Sequence, residues 1–136
     1  MRLWPLAILD QLPRQQLLGQ HRECCALRGK GWGRKHATVD YVFKHPYAWL
    51  WFYHVYVMGE MERRGFRPDS AWWRRSYRGK SIGDDKTDIT EPGMLRSIPA
   101  SIYVYSEHDE KYISECIENL RKKGVTIGIS KTGGTR

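Results

Sequence analysis

Apolar and polar side chains recur with a helical period along RQQLLGQHRECCALRG, the stretch from Arg14 to Gly29. At ~100° per residue, one arc of the helix carries mainly apolar side chains and the opposite arc carries polar and small ones. The pattern predicts a core stripe and a polar face whose two small residues leave room for a bulky ligand. The apolar arc holds Leu17, Leu18, His21, Cys24 and Cys25, and the polar arc holds Gln15, Gln16, Gly19, Arg22, Glu23 and Ala26.

Both ends of this first helix carry recognisable signals. Asp10 or Leu12 is expected to cap it, with Pro13 in its first turn, where a missing N–H costs nothing. The helix is expected to run to about Arg28, after which three glycines interrupt the pattern. The apolar residues of MRLWPLAIL predict that the segment before the helix is packed.

Two further helices follow in the chain. The first three turns of residues 47–64 are apolar nearly all round, so this stretch is expected to be the central buried helix, ended by Gly65. The third helix, SEHDEKYISECIENLRKK, begins with a capping-box pattern at Ser106 and Asp109 and closes at Gly124. Its predicted core stripe consists of Tyr112, Ile113, Cys116, Ile117 and Leu120.

The segments between these helices show little regularity. Residues 37–44 predict an extended segment or a single turn, residues 66–104 are broken by prolines and glycines, and the C-terminal stretch could add one short strand. The sequence thus predicts an all-α fold, a compact single domain of three main helices with long irregular connections. We expect residues 1–128 to form the domain and residues 129–136 a flexible tail.

Charge and composition narrow the choice of partners. The 136 residues carry 23 Lys and Arg against 15 Asp and Glu, a net charge of +8, which favours nucleic acid or an anionic membrane surface. Six Trp and eight Tyr add flat faces that can stack on bases, although most are expected in the core. The N-terminus is too short and broken for a secretory signal, and the longest apolar run is too short to span a bilayer. We therefore expect a cytoplasmic protein, associated with the nucleoid when bound to DNA.

The cysteines and histidines give no sign of a metal site. Cys24, Cys25 and Cys116 lack CxxC or zinc-finger spacing and are expected to be free thiols in a reducing compartment. The five histidines are scattered and no HExxH motif occurs, so neither a metal nor another cofactor is expected. His54, in the apolar helix, is more typical of a hydrogen-bonded core histidine than of a metal ligand.

Two basic segments are candidates for phosphate contact. The loop GKGWGRKH combines glycines with Lys30, Arg34 and Lys35, although it could also be a solvated connector. In WWRRSYRGKS the tryptophans are expected to fill the core while the cations reach phosphates. The acidic run DDKTDITE that follows is expected to point away from a polyanion. The cations of the second segment are Arg74, Arg75, Arg78 and Lys80.

Glu23 is the one acid within this basic part of the chain, since the next acid is Asp40. A Glu beside Arg22, Arg28 and Lys30 can be a salt-bridged surface residue. The alternative is a carboxylate placed where a polyanion docks, which is costly unless it performs chemistry. Composition alone leaves both interpretations open.

These stretches together resemble a known family. Met1-Arg2-Leu3, the helix QQLLGQHRECCAL, the loop GKGWGRKH and the helix end EMERRGF are similar to pyrimidine-dimer DNA glycosylases of the phage endonuclease V type, in their bacterial branch. The resemblance covers residues 1–67 and resumes over YRGKS and SEHDEKYISECIENL. It implies a compact three-helix protein whose N-terminal amine attacks C1′ of a damaged nucleotide, forms an imine and cuts the strand by β-elimination.

The resemblance also implies roles for particular residues. The family's essential carboxylate maps onto Glu23, in the pair Arg22-Glu23. Arg2 is too bulky for efficient removal of the initiator, so Met1 is expected to supply the amine. Arg2 and Arg22 would clamp phosphates next to the lesion.

Two departures from the family affect the grip on DNA. The phage enzyme begins with a small hydroxyl residue, and it carries basic or imidazole side chains at the positions of Gln16 and Ala26. Candidates to replace these DNA contacts are Gln15, Gln16, Lys35 and His36, with Arg121 on the third helix. The expected partner is damaged double-stranded DNA, bound by a monomer.

Two other functions remain open at this stage. A basic helical protein could bind DNA or RNA without chemistry, with an affinity that falls steeply with salt. A metal-dependent nuclease is a weaker alternative, which removal of metal would abolish.

Overall fold

Three helices form the scaffold of the computed structural model, which describes residues 2–31, 40–85 and 105–128. Helix α1 spans Arg14–Arg28, α2 spans Tyr47–Arg63 and α3 spans Glu110–Lys122. Within the described residues there is no strand, only a single antiparallel bridge between Tyr77 and Asp84. The prediction of an all-α single domain with three main helices is therefore confirmed. The predicted tail, residues 129–136, lies outside the described residues.

Short 3-10 helices occupy parts of the connections. They span Leu6–Gln11, Asp40–Lys44 and Ser70–Trp73. The first packs against α2 beside α1, as expected for a packed N-terminal segment. The second shows that residues 40–44, within the stretch for which an extended segment or a single turn was expected, form a turn. Val125–Gly128 forms no strand in this structure.

The helix ends correct two sequence predictions. Pro13 precedes the first turn of α1 as its N-cap, and its carbonyl oxygen accepts from Leu17 at 3.0 Å. A proline suits this position because the cap's N–H is not needed within the helix. Asp109, rather than Ser106, caps α3: its Oδ1 accepts from the backbone N–H of Tyr112 at 2.9 Å. At the other end, Gly124 has φ +86°, the left-handed backbone that terminates a helix.

Helix α2 is the most buried element, as its apolar composition predicted. It packs along α1, and Ile113, Cys116 and Leu120 of α3 belong to the same core. Each fully buried Leu or Val contributes roughly 1.5–3 kcal/mol of hydrophobic stabilisation. The buried positions of α2 are Tyr47, Ala48, Trp49, Leu50, Tyr53, His54, Val57, Met58 and Met61.

The buried face of α1 differs from the predicted one. Leu17 and Cys24 are buried as expected, and Leu27 extends the same stripe. The face also includes two polar residues, Gln20 and Arg28, which take partners inside the protein. Leu18, His21 and Cys25 are only half-buried. The helix is turned so that Gln20 and Arg28 face α2, where they bond to Tyr53, Tyr47 and His54.

All three cysteines are free, with Cys24 and Cys116 buried and Cys25 half-buried. The prediction of free thiols is confirmed. No helix among the described residues is long and apolar enough to cross a membrane.

Candidate active site

The N-terminal segment is tied to all three helices through its backbone. The N–H of Trp4 donates to Oε1 of Gln20 at 2.6 Å, on α1. The hydroxyl of Tyr53, on α2, donates to the carbonyl of Trp4 at 2.5 Å. The hydroxyl of Tyr112, on α3, donates to the carbonyl of Leu3 at 2.8 Å. Because these bonds engage both an N–H group and two carbonyl groups, they fix the backbone conformation of residues 3 and 4.

A cavity of about 270 Å³ lies beside this anchored segment. It is slightly smaller than most small-molecule pockets, ~300–1,000 Å³, and so suits a single ring or sugar rather than a duplex. One wall comes from the N-terminal segment, one from the polar face of α1 and one from the end of α3. The lining residues are Arg2, Trp4, Gln16, Gly19, Gln20, Glu23, Asn119 and Lys123.

Among the residues that the structure describes, Glu23 is the only acid that lines this cavity. Its side chain is half-buried, and its Oε2 atom is sealed from solvent. Arg2 and Lys123 bring positive charge to the same space, so an anionic ligand and a carboxylate would meet there. The space beside Gly19 is open to a ligand, since, among the described residues, the one side-chain atom near the position of a Cβ there is Nη2 of Arg22, at 3.8 Å.

The predicted site residues separate into three groups. Glu23, Arg2 and Gln16 line the cavity. Gln15, Arg22 and Lys30 are exposed on or near α1 and do not line it. Met1, Arg34, Lys35 and His36 lie outside the described residues; Met1 is joined directly to Arg2 in the chain.

Helix α3 contributes to the cavity through residues other than the predicted one. Arg121 pairs with Glu118 at 2.6 Å on the exposed side of the helix. Asn119 and Lys123 line the cavity instead. Their i, i+4 spacing places them on one face beside the core stripe, a signal that the sequence did contain.

The basic segment after α2 folds onto the acidic residues that follow it. Arg74 and Asp84 form an ion pair at 3.1 Å, and Arg78 lies 3.9 Å from Asp85. The guanidinium of Arg78 is largely buried over the ring of Tyr47, with 3.8 Å from the carbon to the ring centroid. Asp84 and Asp85, the first residues of the acidic run, therefore pair with two of the cations of this segment, and the rest of the run lies outside the described residues.

Arg28 is fully buried and uses all its donors, a burial that the sequence did not predict. Its guanidinium bonds to the Tyr47 hydroxyl at 3.0 Å and to Nδ1 of His54 at 2.8 Å. Three backbone carbonyls accept its remaining N–H groups at distances of 2.7–3.1 Å. These carbonyls belong to Trp72, Arg74 and Tyr77.

His21, Cys25 and His54 come together, so the expectation of scattered histidines is wrong for this trio. Nδ1 of His21 lies 2.8 Å from Nε2 of His54. Sγ of Cys25 lies 3.7 Å from Nε2 of His21 and 3.9 Å from Nε2 of His54. Imidazole nitrogens and a thiolate are the atoms that zinc prefers, so these three residues require a test as metal ligands.

Arg28 sets the protonation of the trio and makes it a poor metal site. A guanidinium only donates, so Nδ1 of His54 must accept from it. Burial, and then the charge of Arg28, hold the pKa of His54 well below its usual value, so the ring is neutral. Its single proton therefore sits on Nε2 and is donated to His21. That nitrogen has no free lone pair for a metal, and the prediction that His54 is a hydrogen-bonded core histidine is confirmed.

A family comparison agrees with this geometry. The sequence profile of the pyrimidine dimer DNA glycosylase family matches residues 1–74, just over half of the chain. The chain belongs to this family. Its members are repair glycosylases that act on damaged DNA, and the resemblance noted in the sequence is thereby confirmed. Compared with curated proteins and with solved structures, the chain matches none of them.

The family match covers most of the cavity but not all of it. It includes the N-terminal segment, α1 with Glu23, and α2. Asn119 and Lys123 lie beyond it, on α3. The part of the site contributed by α3 is therefore supported by the structure alone.

Proposed function

We propose that this protein excises damaged pyrimidines from duplex DNA and then cuts the strand at the abasic site, with the α-amine of Met1 as nucleophile. Its substrate in this proposal is a pyrimidine dimer. The observation that supports it best is the anchoring of Leu3 and Trp4 to all three helices beside the cavity that contains Glu23. A fixed segment next to a terminal nucleophile reduces the entropy lost in reaching the reactive geometry.

The choice of an α-amine has a physical reason. Its pKa is about 7.7–8.0 against about 10.4 for a lysine, so roughly a third of it is neutral near pH 7.5. An ordinary lysine side chain would be almost wholly protonated under the same conditions. A terminal amine is thus a nucleophile without deep burial, provided that Met1 is the first residue of the mature chain.

The proposed reaction proceeds through an imine. The neutral amine forms a bond to C1′ as the glycosidic bond breaks, the base leaves with the bonding electrons, and the amine loses a proton. Opening of the sugar ring, in which O4′ takes up a proton from water, gives the protonated imine with C1′. Glu23 stabilises this cation and accepts a proton from C2′, which expels the 3′ oxygen of the strand. Water then hydrolyses the imine and releases the amine.

The cations around the cavity support binding of the substrate. Arg2 and Lys123 line it, and Arg22 is exposed on the same face of α1. Phosphate contacts of this kind position a duplex without reading its sequence. The exposed Gln15 and Lys30 extend this surface, and Arg34, Lys35 and His36 belong to the same proposal by sequence.

The test is borohydride trapping of untagged protein on two duplexes, one with a single cyclobutane thymine dimer and one with an abasic site. We expect a covalent adduct on both, with the peptide map placing the link on the Met1 amine. Intact-mass measurement checks that Met1 is the first residue. One added N-terminal residue, or Glu23→Gln, should lower strand cleavage on the order of 100-fold or more while leaving DNA binding within a few-fold.

Three outcomes contradict the proposal. An adduct on a lysine would remove Met1 from its role, and cleavage by Glu23→Gln at the native rate would remove Glu23. Binding of both duplexes without any adduct would favour a basic DNA-binding protein that performs no chemistry, which the net charge of +8 also allows.

A further inference from the structure

Gln20 is held in one orientation by the groups that meet its oxygen. Its Oε1 accepts from the N–H of Trp4 at 2.6 Å and lies 2.9 Å from the hydroxyl of Tyr53. A backbone N–H can be met only by an acceptor, so the oxygen, not the nitrogen, of the carboxamide must face Trp4. The amide NH2 therefore points to the other side of the side chain.

The NH2 of Gln20 is unused within the part of the chain that the structure describes. Its nitrogen makes no hydrogen bond to any of the described residues, yet it is not among the atoms sealed from solvent. The side chain is only 3% exposed, and the cavity is the open space that it borders. Gln20 and Glu23 are three residues apart on α1, so their polar ends share this cavity.

We propose that Gln20 donates its amide hydrogens to the carbonyl oxygen O2 of the pyrimidine that is excised, as a catalytic residue for base departure. The inference rests on the proposed function. When the bond between C1′ and N1 breaks, the bonding electron pair moves to the base, and the negative charge spreads from N1 onto O2. A fixed donor at O2 stabilises this charge, and water then protonates N1. Since Oε1 is already engaged, the donor needs no reorganisation as the charge develops.

If Gln20 assists departure of the base, then replacing it should slow excision of a dimer more than cleavage of an abasic duplex. Excision of a dimer requires a base to leave, whereas cleavage of an abasic duplex uses the same amine and Glu23 with no base. The variant Gln20→Glu keeps an oxygen for Trp4 and Tyr53 and replaces the NH2 by a second oxygen. Gln20→Met removes both polar atoms and adds no charge. Each variant is compared with wild type on the dimer duplex and on the abasic duplex, under single-turnover conditions.

We expect Gln20→Glu, which keeps the acceptor for Trp4, to lose dimer excision on the order of 100-fold while abasic cleavage changes by less than a few-fold. Gln20→Met also removes that acceptor, so both reactions should slow, with dimer excision losing about 100-fold more than abasic cleavage. The ratio of the two rates does not depend on the fraction of protein that is folded, so partial unfolding cannot imitate the result. An equal loss of both reactions would overturn the proposal and make Gln20 a residue that only positions the N-terminal segment. Unchanged excision would overturn it as well. Failure of the proposed function is seen separately, as absence of an adduct with wild type on the abasic duplex.

Discussion

Nη1 of Arg28 lies 2.8 Å from Nδ1 of His54, with both side chains fully buried. The contact joins α1 to α2, and the other donors of Arg28 hold residues 72–77 against the helix pair. A buried cation is costly unless every donor is satisfied, and here all five are. Arg28 therefore organises a segment that has little regular structure of its own.

Replacing Arg28 is expected to destabilise the fold strongly. Arg28→Met removes five hydrogen bonds and leaves buried carbonyl oxygens without a donor. At roughly 1 kcal/mol for each bond, we expect the free energy of unfolding to fall by about 3–5 kcal/mol in urea denaturation. Arg22→Met is the matched control on the exposed face of the same helix, where a change within about 0.5 kcal/mol is expected. Equal effects of the two substitutions would show that the hydrogen bonds of buried Arg28 do not contribute to the free energy of unfolding.

The same contact predicts the response to zinc. Because Arg28 requires an acceptor at Nδ1 of His54, the proton on Nε2 blocks coordination by the trio of His21, Cys25 and His54. Wild-type protein should show no rise in melting temperature with zinc at tenfold molar excess. A metal bound at 100 times its Kd would add about 2.7 kcal/mol and be readily visible. A shift that disappears in Cys25→Ser would contradict this protonation scheme.

The sequence predicted the helices well because their signals are local. The all-apolar turns of α2 and the glycine after α3 are properties of neighbouring residues. The burial of Gln20 and Arg28 was not predicted, for the opposite reason: a polar side chain is buried only if distant groups satisfy it. The partners of Arg28 lie 19 to 49 positions away in the chain, and those of Gln20 lie 16 and 33 positions away. The helical period of the sequence cannot predict partners that lie so far away in the chain.

The site was predictable in part for a similar reason. Glu23 was identified by its isolation among cations, a feature of composition, and the structure does place it at a cavity. Lys123 was missed because a cation at the end of a helix already has an explanation in the helix dipole, and Asn119 because it carries no charge that would set it apart. Only the packing of α3 beside the N-terminal segment shows that these two residues face α1.

Acid is expected to weaken the fold through His108. Burial lowers the pKa of this ring from 6.5 to about 4, with Glu107 and Asp109 opposing the shift. Between pH 6.5 and pH 4, His108 is protonated in the unfolded chain but neutral in the folded one. The stability that this residue contributes above pH 6.5 is therefore lost as the pH falls towards 4. Between pH 7.5 and pH 5, we expect this group alone to remove about 2 kcal/mol from the free energy of unfolding. The comparison is urea denaturation of wild type and His108→Gln at both pH values.

The variant His108→Gln keeps a polar group for its neighbour Tyr41 but cannot titrate in this range. Carboxylates titrate alike in both proteins, so the difference between their pH dependences isolates the histidine. Parallel loss of stability in wild type and variant would mean that His108 is protonated as easily in the folded state as in the unfolded one.

Tyr53 links stability to the proposed chemistry. Its hydroxyl is fully buried and donates to the carbonyl of Trp4, so Tyr53→Phe leaves that oxygen without a donor. We expect a loss of about 1–3 kcal/mol in the free energy of unfolding. We also expect strand cleavage to slow roughly 10- to 100-fold, because the segment that leads to Met1 loses one of its three anchors. DNA affinity should change little, since Tyr53 does not line the cavity.

Tyr56→Phe is the control for this prediction. Tyr56 lies on the same helix with 50% of its side chain exposed, and losing its hydroxyl should leave both stability and cleavage unchanged. Single-turnover rates, measured where both variants are fully folded, separate the two effects of Tyr53→Phe. Native cleavage by a destabilised Tyr53→Phe would show that the anchor serves folding alone, because a loosened nucleophile must lose rate wherever its position limits the reaction.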